Sequence, residues 1–284
     1  MLFAQIIVNG VLVGGLYGLM ALGMALVWGV LNIVNLAHGA FIMLGGYAVF
    51  FLFTSGIDPF AALPVAMVLM FALGYLIQLI ILNQIVRAPH LNTLLITFGL
   101  DVVLTYLAQL LFSSDFRAIN PSYAGASVTL AGVTVPLVRM AVFALAWLLA
   151  AGLWFLLWRL PLGRAIRATA QNLVAARLYG VNPRQLYAVT FGIGAALAGI
   201  SGGLYGMVAY LTPYVGATLT AKSFVIAVIA RLENPFKVVA AGLVIGIAES
   251  VAALYLGPTY SSLISFGLLV LILVLRPARA LRAA

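Results

Sequence analysis

The sequence predicts an all-α protein: a polytopic membrane helix bundle with about eight spans and additional broken or half-span helices. Of its 284 residues, 65% are hydrophobic and only 7% are charged, and the mean hydropathy is +1.23. A soluble domain carries roughly 25% charged residues. The composition therefore excludes a water-soluble enzyme and predicts that residues 1–284 form a single transmembrane domain.

The individual spans follow from runs of apolar residues, because a helix needs about 20 of them to cross a hydrocarbon core of roughly 30 Å. Runs of this kind predict spans at 5–29, 36–54, 60–83, 91–112, 137–158, 187–211, 236–256 and 260–276. The apolar segment 220–231 is too short to cross alone, and we expect a half-span or re-entrant helix there. The polar segment 30–38 is either a helix break at membrane depth or a tight hairpin at the interface.

Lysine and arginine are distributed unevenly between the two sets of alternate loops. Eleven lie in the set that contains the loop 159–186 and the C-terminus, and three (Arg117, Arg139 and Lys222) lie in the other. The positive-inside rule then predicts a cytoplasmic C-terminus and an N-terminus outside. The net charge of +9 is explained as a topology signal, so no nucleic-acid partner is expected. No lysine or arginine is predicted deep in a span, which excludes a voltage sensor.

The outer loop 113–136 alternates polar and β-branched residues. This pattern fits a small β-hairpin or a segment lying across the outer face. The loop either contacts an extracytoplasmic partner or simply covers the bundle.

Several kinds of chemistry are excluded by residue counts. The chain has no cysteine, two histidines and five carboxylates, so we expect no catalytic residues, no metal site and no cofactor. The segment 216–223 nearly matches a phosphate-binding loop, but Ala221 stands where the motif requires glycine and no strand precedes it. We therefore expect no nucleotide hydrolysis by this chain.

Within the spans, small and polar residues stand out. Glycines recur at three- to four-residue spacing in the first and sixth spans, which favours close helix packing, and Gly-Gly-Leu-Tyr-Gly occurs at both 14–18 and 202–206. Asp101 and Glu249 are predicted inside spans, and His38 lies in the broken region. Such groups either line a polar path or form structural hydrogen bonds between helices.

The largest inner loop has a helical pattern of its own. Ala165, Ala168, Ala175 and Leu178 recur at helical spacing, and Gly180 followed by Asn-Pro is a helix stop. A narrow face of small residues suits docking into a groove of another protein. The alternative is a membrane-surface helix, although a face made mostly of alanine buries too little area for that.

Together these segments resemble a known family, the permease subunits of ABC importers for branched-chain amino acids, and specifically the H-type partner. The inner loop is similar to the family's coupling helix, and the run Asn35-Leu-Ala37-His38-Gly39 is similar to its N-terminal motif. Further similarity lies in 213–216 and 242–249, so the resemblance covers nearly the whole chain.

The resemblance implies a permease subunit of a binding-protein-dependent importer of branched-chain amino acids or related small polar solutes, in a bacterial inner (cytoplasmic) membrane. Its implied partners are a second permease subunit or a second copy of itself, two cytoplasmic ABC ATPase subunits, a periplasmic or extracellular binding protein, and the lipid bilayer. The ATPases would contact Gly163, Arg164, Arg167, Ala168, Asn172, Ala175, Leu178 and Gly180. The candidates for the translocation path are Asn32, Asn35, His38, Asp101 and Glu249.

Two positions depart from the family pattern. Ala40 replaces a glutamate that usually follows the His-Gly pair, and the segment 230–237 replaces a glycine-rich turn. We expect the first to affect substrate identity and the second to affect contacts with the ATPase or gating. The alternative function is a secondary transporter of small amino acids or amides, driven by protons through Asp101, Glu249 and His38. A membrane-embedded enzyme has too few convergent catalytic groups.

Overall fold

A computed structural model describes residues 2–85, 90–130, 132–230 and 234–275, which form a helical bundle with one short β-hairpin. The helices are α1 (Leu2–Leu31), α2 (His38–Thr54), α3 (Pro59–Ile80), α4 (His90–Phe112), α5 (Leu137–Arg159), α6 (Pro161–Gln171), α7 (Leu173–Leu178), α8 (Pro183–Gly206), α9 (Val215–Ala230), α10 (Pro235–Leu256) and α11 (Pro258–Leu275). The strands are β1 (Ser127–Leu130) and β2 (Val133–Pro136).

Each of the eight predicted spans coincides with a helix, namely α1, α2, α3, α4, α5, α8, α10 and α11. The prediction of an all-α membrane bundle is confirmed. In the described part of the chain, six helices are long and apolar enough to cross a membrane: α1, α3, α4, α5, α8 and α10. By contrast, α2 has 17 residues and α9 has 16. Sixteen residues of helix extend about 24 Å, so α9 fits the predicted half-span.

The bundle is built around two central helices. In α1 and α8, 83% and 89% of the most apolar window is buried, whereas the values are 28% for α5 and 11% for α4. Buried hydrophobic side chains of α1 and α8 form the main core together with others from α2, α3, α5, α9 and α10. The peripheral helices α4 and α5 instead expose large apolar side chains to the surroundings, as expected where lipid or another membrane subunit replaces water.

Glycines bring α1 into backbone contact with α10. A Cβ on Gly14 would lie 2.7 Å from the Gly242 carbonyl oxygen, and a Cβ on Gly18 would lie 2.7 Å from the Val239 Cα. Close packing of the first span is thus present, but its main glycine row faces α10. The contact with α8, the sixth predicted span, is made by Gly23 against Gly194. Small residues allow this approach, which drives helix association in lipid.

The bundle has two distinct ends. At one, which we call the hairpin end, Gln5 near the start of α1 exchanges two hydrogen bonds of 2.8 Å with the backbone of Thr134 in β2. At the other, the α6–α7 end, Asn83 Nδ2 donates to the carbonyl oxygen of Arg184 near the start of α8 at 3.1 Å. Arg159, in the last turn of α5, also lies at this end.

The segment 113–136 covers the hairpin end, and it combines the two forms predicted for it. Its second part is an antiparallel hairpin in which Val128 pairs with Val135. Its first part crosses the bundle, where Arg117 forms a bridge with Leu211, just after α8. The Tyr123 hydroxyl donates to Asp58 Oδ2 at 2.7 Å, and its partial burial together with this bond raises the pKa of Tyr123 to about 12.

Candidate functional site

The helix break between α1 and α2 lies inside the bundle. Residues 32–37 are not helical, and Asn32 has a φ of +54°, in the left-handed region. After the break, His38 at the start of α2 lies beside Met20, with 2.9 Å between His38 Nε2 and the Met20 carbonyl oxygen. Met20 lies 11 residues before the end of α1, a rise of about 16 Å. Of the two predicted forms, the structure has a break at depth rather than an interface hairpin.

Polar side chains from two other helices satisfy the backbone of this break. Thr220 on α9 accepts from the Gly39 amide at 2.7 Å and donates to the Leu36 carbonyl oxygen at 3.2 Å. The Thr97 hydroxyl on α4 shares its one hydrogen between the Val34 carbonyl oxygen, at 3.3 Å, and a carbonyl oxygen of its own helix, at 3.1 Å. Irregular backbone at membrane depth requires such internal partners. The sequence contained no signal that singled out either threonine.

The two short helices begin at the same place in the interior. A Cβ on Gly39 would overlap the Gly216 carbonyl group, so the first turns of α2 and α9 are in backbone contact. From this point α2 runs to the hairpin end, where Asp58 follows it. The helix α9 runs toward the other end, because its Phe224 packs against Trp28 near the end of α1. Two short helices, α2 and α9, therefore diverge from one crossing point inside the bundle.

Three of the predicted path residues differ in exposure. Asn35 is buried, and its Oδ1 accepts from the Ala37 amide at 3.1 Å. His38 is buried against α1 through the Met20 contact. Asn32 is exposed at the end of α1. Asn35 and His38 thus make hydrogen-bond contacts inside the bundle, whereas Asn32 lies at its surface.

Asp101 lies at the middle of α4, on the side of that helix that faces α2. Its Oδ1 atom is buried and has no hydrogen-bond partner in the described part of the chain. Toward one end of α4, Thr97 reaches the helix break; toward the other, Ala108 packs against Ala40. Ala40 is thus a small packing residue beneath α4.

Glu249 belongs to a buried cluster of four helices that also contains Lys222. The Lys222 Nζ lies 2.7 Å from Glu249 Oε2 and donates to the Tyr17 hydroxyl at 2.9 Å. Ser265 on α11 donates to Glu249 Oε1. The prediction that Lys222 lies in an outer loop is wrong: Lys222 is 9% exposed in α9. The apolar stretch begins five residues earlier than predicted, at Val215.

The predicted single coupling helix is two short helices in the structure. The backbone of Asn172 is extended, with φ −154° and ψ 102°, and separates α6 from α7. The Asn172 Oδ1 accepts from the Ala175 amide at 3.0 Å and caps α7. Gly180, with φ +83°, follows the end of α7. A helix break at a polar capping residue has local causes, but the regular alanine spacing obscured it.

The residues predicted to contact the ATPase divide into two groups. Gly163 and Arg167 tie α6 to α5: a Cβ on Gly163 would overlap the Leu156 carbonyl group, and Arg167 Nε donates to the Leu157 carbonyl oxygen at 3.0 Å. The guanidinium carbon of Arg167 also lies 4.8 Å from the Trp158 ring centroid. The exposed group comprises Arg164, Ala168, Asn172, Leu178 and Gly180, while Ala175 is half-buried.

Two of the three most exposed large side chains of this loop were not predicted as contact residues. Val174, Leu178 and Tyr179 are 68%, 84% and 90% exposed, and together they form what we call the α7 knob. Only Leu178 among them was predicted as a contact residue. The exposed face of the loop is therefore richer in bulky apolar groups than the expected row of alanines.

No proton relay connects the three ionisable candidates within the described residues. Glu249 bonds to Lys222 and Ser265, and His38 contacts the Met20 carbonyl oxygen. The buried Oδ1 of Asp101 has no hydrogen-bond partner among the residues that the structure describes, so it is not bonded to either group. In the described part of the chain, no group of three or more histidine, aspartate or glutamate side chains could hold a metal ion.

Comparison with known proteins decides the family. The sequence profile described as the permease component of the branched-chain amino acid transport system matches residues 6–273. The chain belongs to this family. It is a multi-pass membrane permease, and the resemblance seen in the coupling-loop and Asn-x-Ala-His-Gly motifs is confirmed.

Individual relatives within the family favour the H-type. The chain is 32% identical to the high-affinity branched-chain amino acid transport system permease protein BraD of Pseudomonas aeruginosa, and 29% identical to LivH of Escherichia coli. Both alignments cover 97% of this chain and 94% of the relative. The permease LivM of E. coli is 25% identical, over 92% of this chain and 67% of LivM. No solved structure matches the chain significantly.

Proposed function

We propose that this chain is one of two permease subunits of an ABC importer that carries branched-chain amino acids across a bacterial inner membrane. The supporting observation is the family match over almost the whole chain, together with relatives named for high-affinity branched-chain amino acid transport. A periplasmic binding protein delivers the substrate, and two ABC ATPase subunits on the cytoplasmic side supply the energy. The second permease subunit is an M-type chain or another copy of this one.

We propose the α7 knob as the contact with the ATPase. Its three side chains are exposed and apolar, and they lie at the end of the bundle that carries Arg164 and Arg177. Gly163 and Arg167 fasten α6 to the last turn of α5. A movement of α7 caused by the ATPase would therefore also move α5, a membrane-spanning helix, through α6.

The proposed translocation path runs along the surface of α4 near the helix break. Asp101 carries a buried oxygen without a partner, which is costly in a membrane unless a polar path or substrate group compensates it. Most of α4 is exposed in this chain. The second permease subunit would cover that surface and enclose the path, while Asn35 and His38 hold the break in shape.

Reconstitution tests this function directly. The complete complex is placed in liposomes with ATP inside and binding protein outside, and uptake of labelled leucine, isoleucine and valine is measured. We expect uptake that requires both ATP and the binding protein. Uptake driven by a proton gradient alone, with this chain as the only protein, would refute the proposal in favour of a secondary transporter.

The ATPase contact has its own test. Leu178→Asp places a charge on an exposed apolar side chain of the α7 knob and should lower binding-protein-stimulated ATP hydrolysis at least about tenfold, as expected for a central apolar contact. Gln185→Asp, an exposed change at the same end of the bundle, is the matched control. Equal stimulation in both variants would place the contact elsewhere.

The path assignment is tested at Asp101. Asp101→Leu removes the polar group and should reduce uptake per assembled complex, whereas Asp101→Asn keeps hydrogen-bonding capacity and should reduce it less. Val68→Leu, an exposed change on α3, away from the proposed path, is the control. Undiminished uptake in Asp101→Leu would show that this side chain does not contact the path.

A further inference from the structure

The Lys222–Glu249 ion pair joins four helices at one buried point. Lys222 is on α9, Glu249 on α10, Tyr17 on α1 and Ser265 on α11. The side chains of the pair are 11% and 8% exposed, and the ammonium lies 4.4 Å from the Tyr17 ring centroid as well as 2.9 Å from its hydroxyl. Every charged atom of the cluster has a partner of opposite charge or a hydroxyl group.

The net contribution of a buried ion pair to the stability of the fold does not explain why this pair is present. Taking two charges out of water costs as much as their attraction returns, and apolar side chains of similar volume often serve as well. In a membrane bundle the cost of an unpaired charge is higher still. What an ion pair does provide is register, because a buried lysine is stable only where it meets its carboxylate.

The register in question is that of α9. Thr220 and Lys222 are two residues apart, so they point to roughly opposite sides of the helix. Thr220 bonds to the helix break through Gly39 and Leu36. Lys222 bonds to α10 and α1. The contacts of Lys222 therefore fix the rotation of α9 about its axis, and this rotation determines where Thr220 lies.

We propose that Lys222 and Glu249 act as one unit that positions α9 for transport, holding Thr220 on the backbone of the helix break. Lys222 is a positioning residue: it acts through α9 and does not itself contact the substrate. This inference rests on the proposed transport function and adds to it a requirement for charge pairing at these two positions.

The experiment is a double-mutant cycle in the complete complex. Lys222→Met, Glu249→Gln and the double variant are compared with wild type, and Arg139→Gln removes a positive charge outside the cluster as a control. Leucine uptake is measured per assembled complex, which separates positioning from loss of folded protein. Wild-type uptake is measured first, so that failure of the proposed function is seen independently of the variants.

Each single variant should lower uptake per complex at least about tenfold, because it leaves one buried charge without its partner. The double variant should recover to within about threefold of wild type, as expected for coupled positions. The exchange Lys222→Glu with Glu249→Lys should also transport better than either single variant.

Three results would overturn the proposal. The first is single variants that transport within threefold of wild type, and the second is a double variant as inactive as the single ones. The third is a loss of assembled complex with unchanged uptake per complex, since that is what a purely structural pair predicts. If the single variants do not assemble at all, the double variant decides: assembly with transport supports the pairing, and assembly without transport refutes it.

Discussion

Replacing Thr220 by valine removes a hydroxyl group from the helix break while keeping its shape. The change leaves the Gly39 amide without its 2.7 Å partner and the Leu36 carbonyl oxygen without its 3.2 Å partner. A buried polar group that loses its partner costs about 1–3 kcal/mol, so two such groups cost at least about 2 kcal/mol. For a chain of this size, this corresponds to a fall of about 4–8 °C in the unfolding temperature.

The measurement is thermal unfolding of the purified complex in detergent, followed by the loss of the monodisperse peak. Thr220→Ser keeps the hydroxyl group and should unfold close to wild type. Thr218→Val is the matched control because Thr218 is exposed on the same helix. If Thr220→Val unfolded at the same temperature as Thr218→Val, the backbone of the break would not depend on α9, and our account of the site would be refuted.

Two further predictions concern helix packing and orientation. Gly14→Leu should prevent assembly, because its Cβ alone would lie 2.7 Å from the Gly242 carbonyl oxygen, whereas Gly152→Leu, in open space on α5, should assemble normally; size-exclusion chromatography distinguishes them. The chain has no cysteine, so single cysteines report on orientation. Gln185→Cys, exposed at the α6–α7 end and outside the α7 knob, should react with an impermeant thiol reagent only in inside-out vesicles, and Val128→Cys only in intact spheroplasts. The reverse labelling would invert our topology.

Much of the architecture was predictable because its causes are local. Hydropathy and length located eight of the helices, six of which are long enough to cross a membrane, since a lipid-exposed helix must be apolar along about 20 residues wherever it packs. The α6–α7 end was predicted in outline from arginines, Gly180 and an Asn-Pro stop. The break at Asn172 was missed, because alanine spacing favours one continuous helix and the capping bond to Ala175 is seen only in three dimensions.

The candidate site was less predictable, because it depends on contacts between distant residues. Asn35 and His38 were found by their polarity within an apolar stretch, but Thr97 and Thr220 were not, since a threonine in a span is unremarkable until its partner is known. Lys222 was misplaced for the same reason. In the sequence a lysine marks the end of an apolar run, and only the structure shows that Lys222 is paired with Glu249, 27 positions later.

The sequence alone determined that this chain is a membrane protein, which of its residues form helices, and which family it resembles. Composition, the length of apolar runs and short motifs depend only on residues that are neighbours in the chain. Only the tertiary structure decided which helices are central, where the chain breaks inside the bundle, and which polar atoms meet there. Those features depend on helices whose backbones are in contact at glycine residues. They also depend on buried charges and hydroxyl groups that bond to residues distant in the sequence. In a medium without water, each of these groups must be satisfied by another part of the protein.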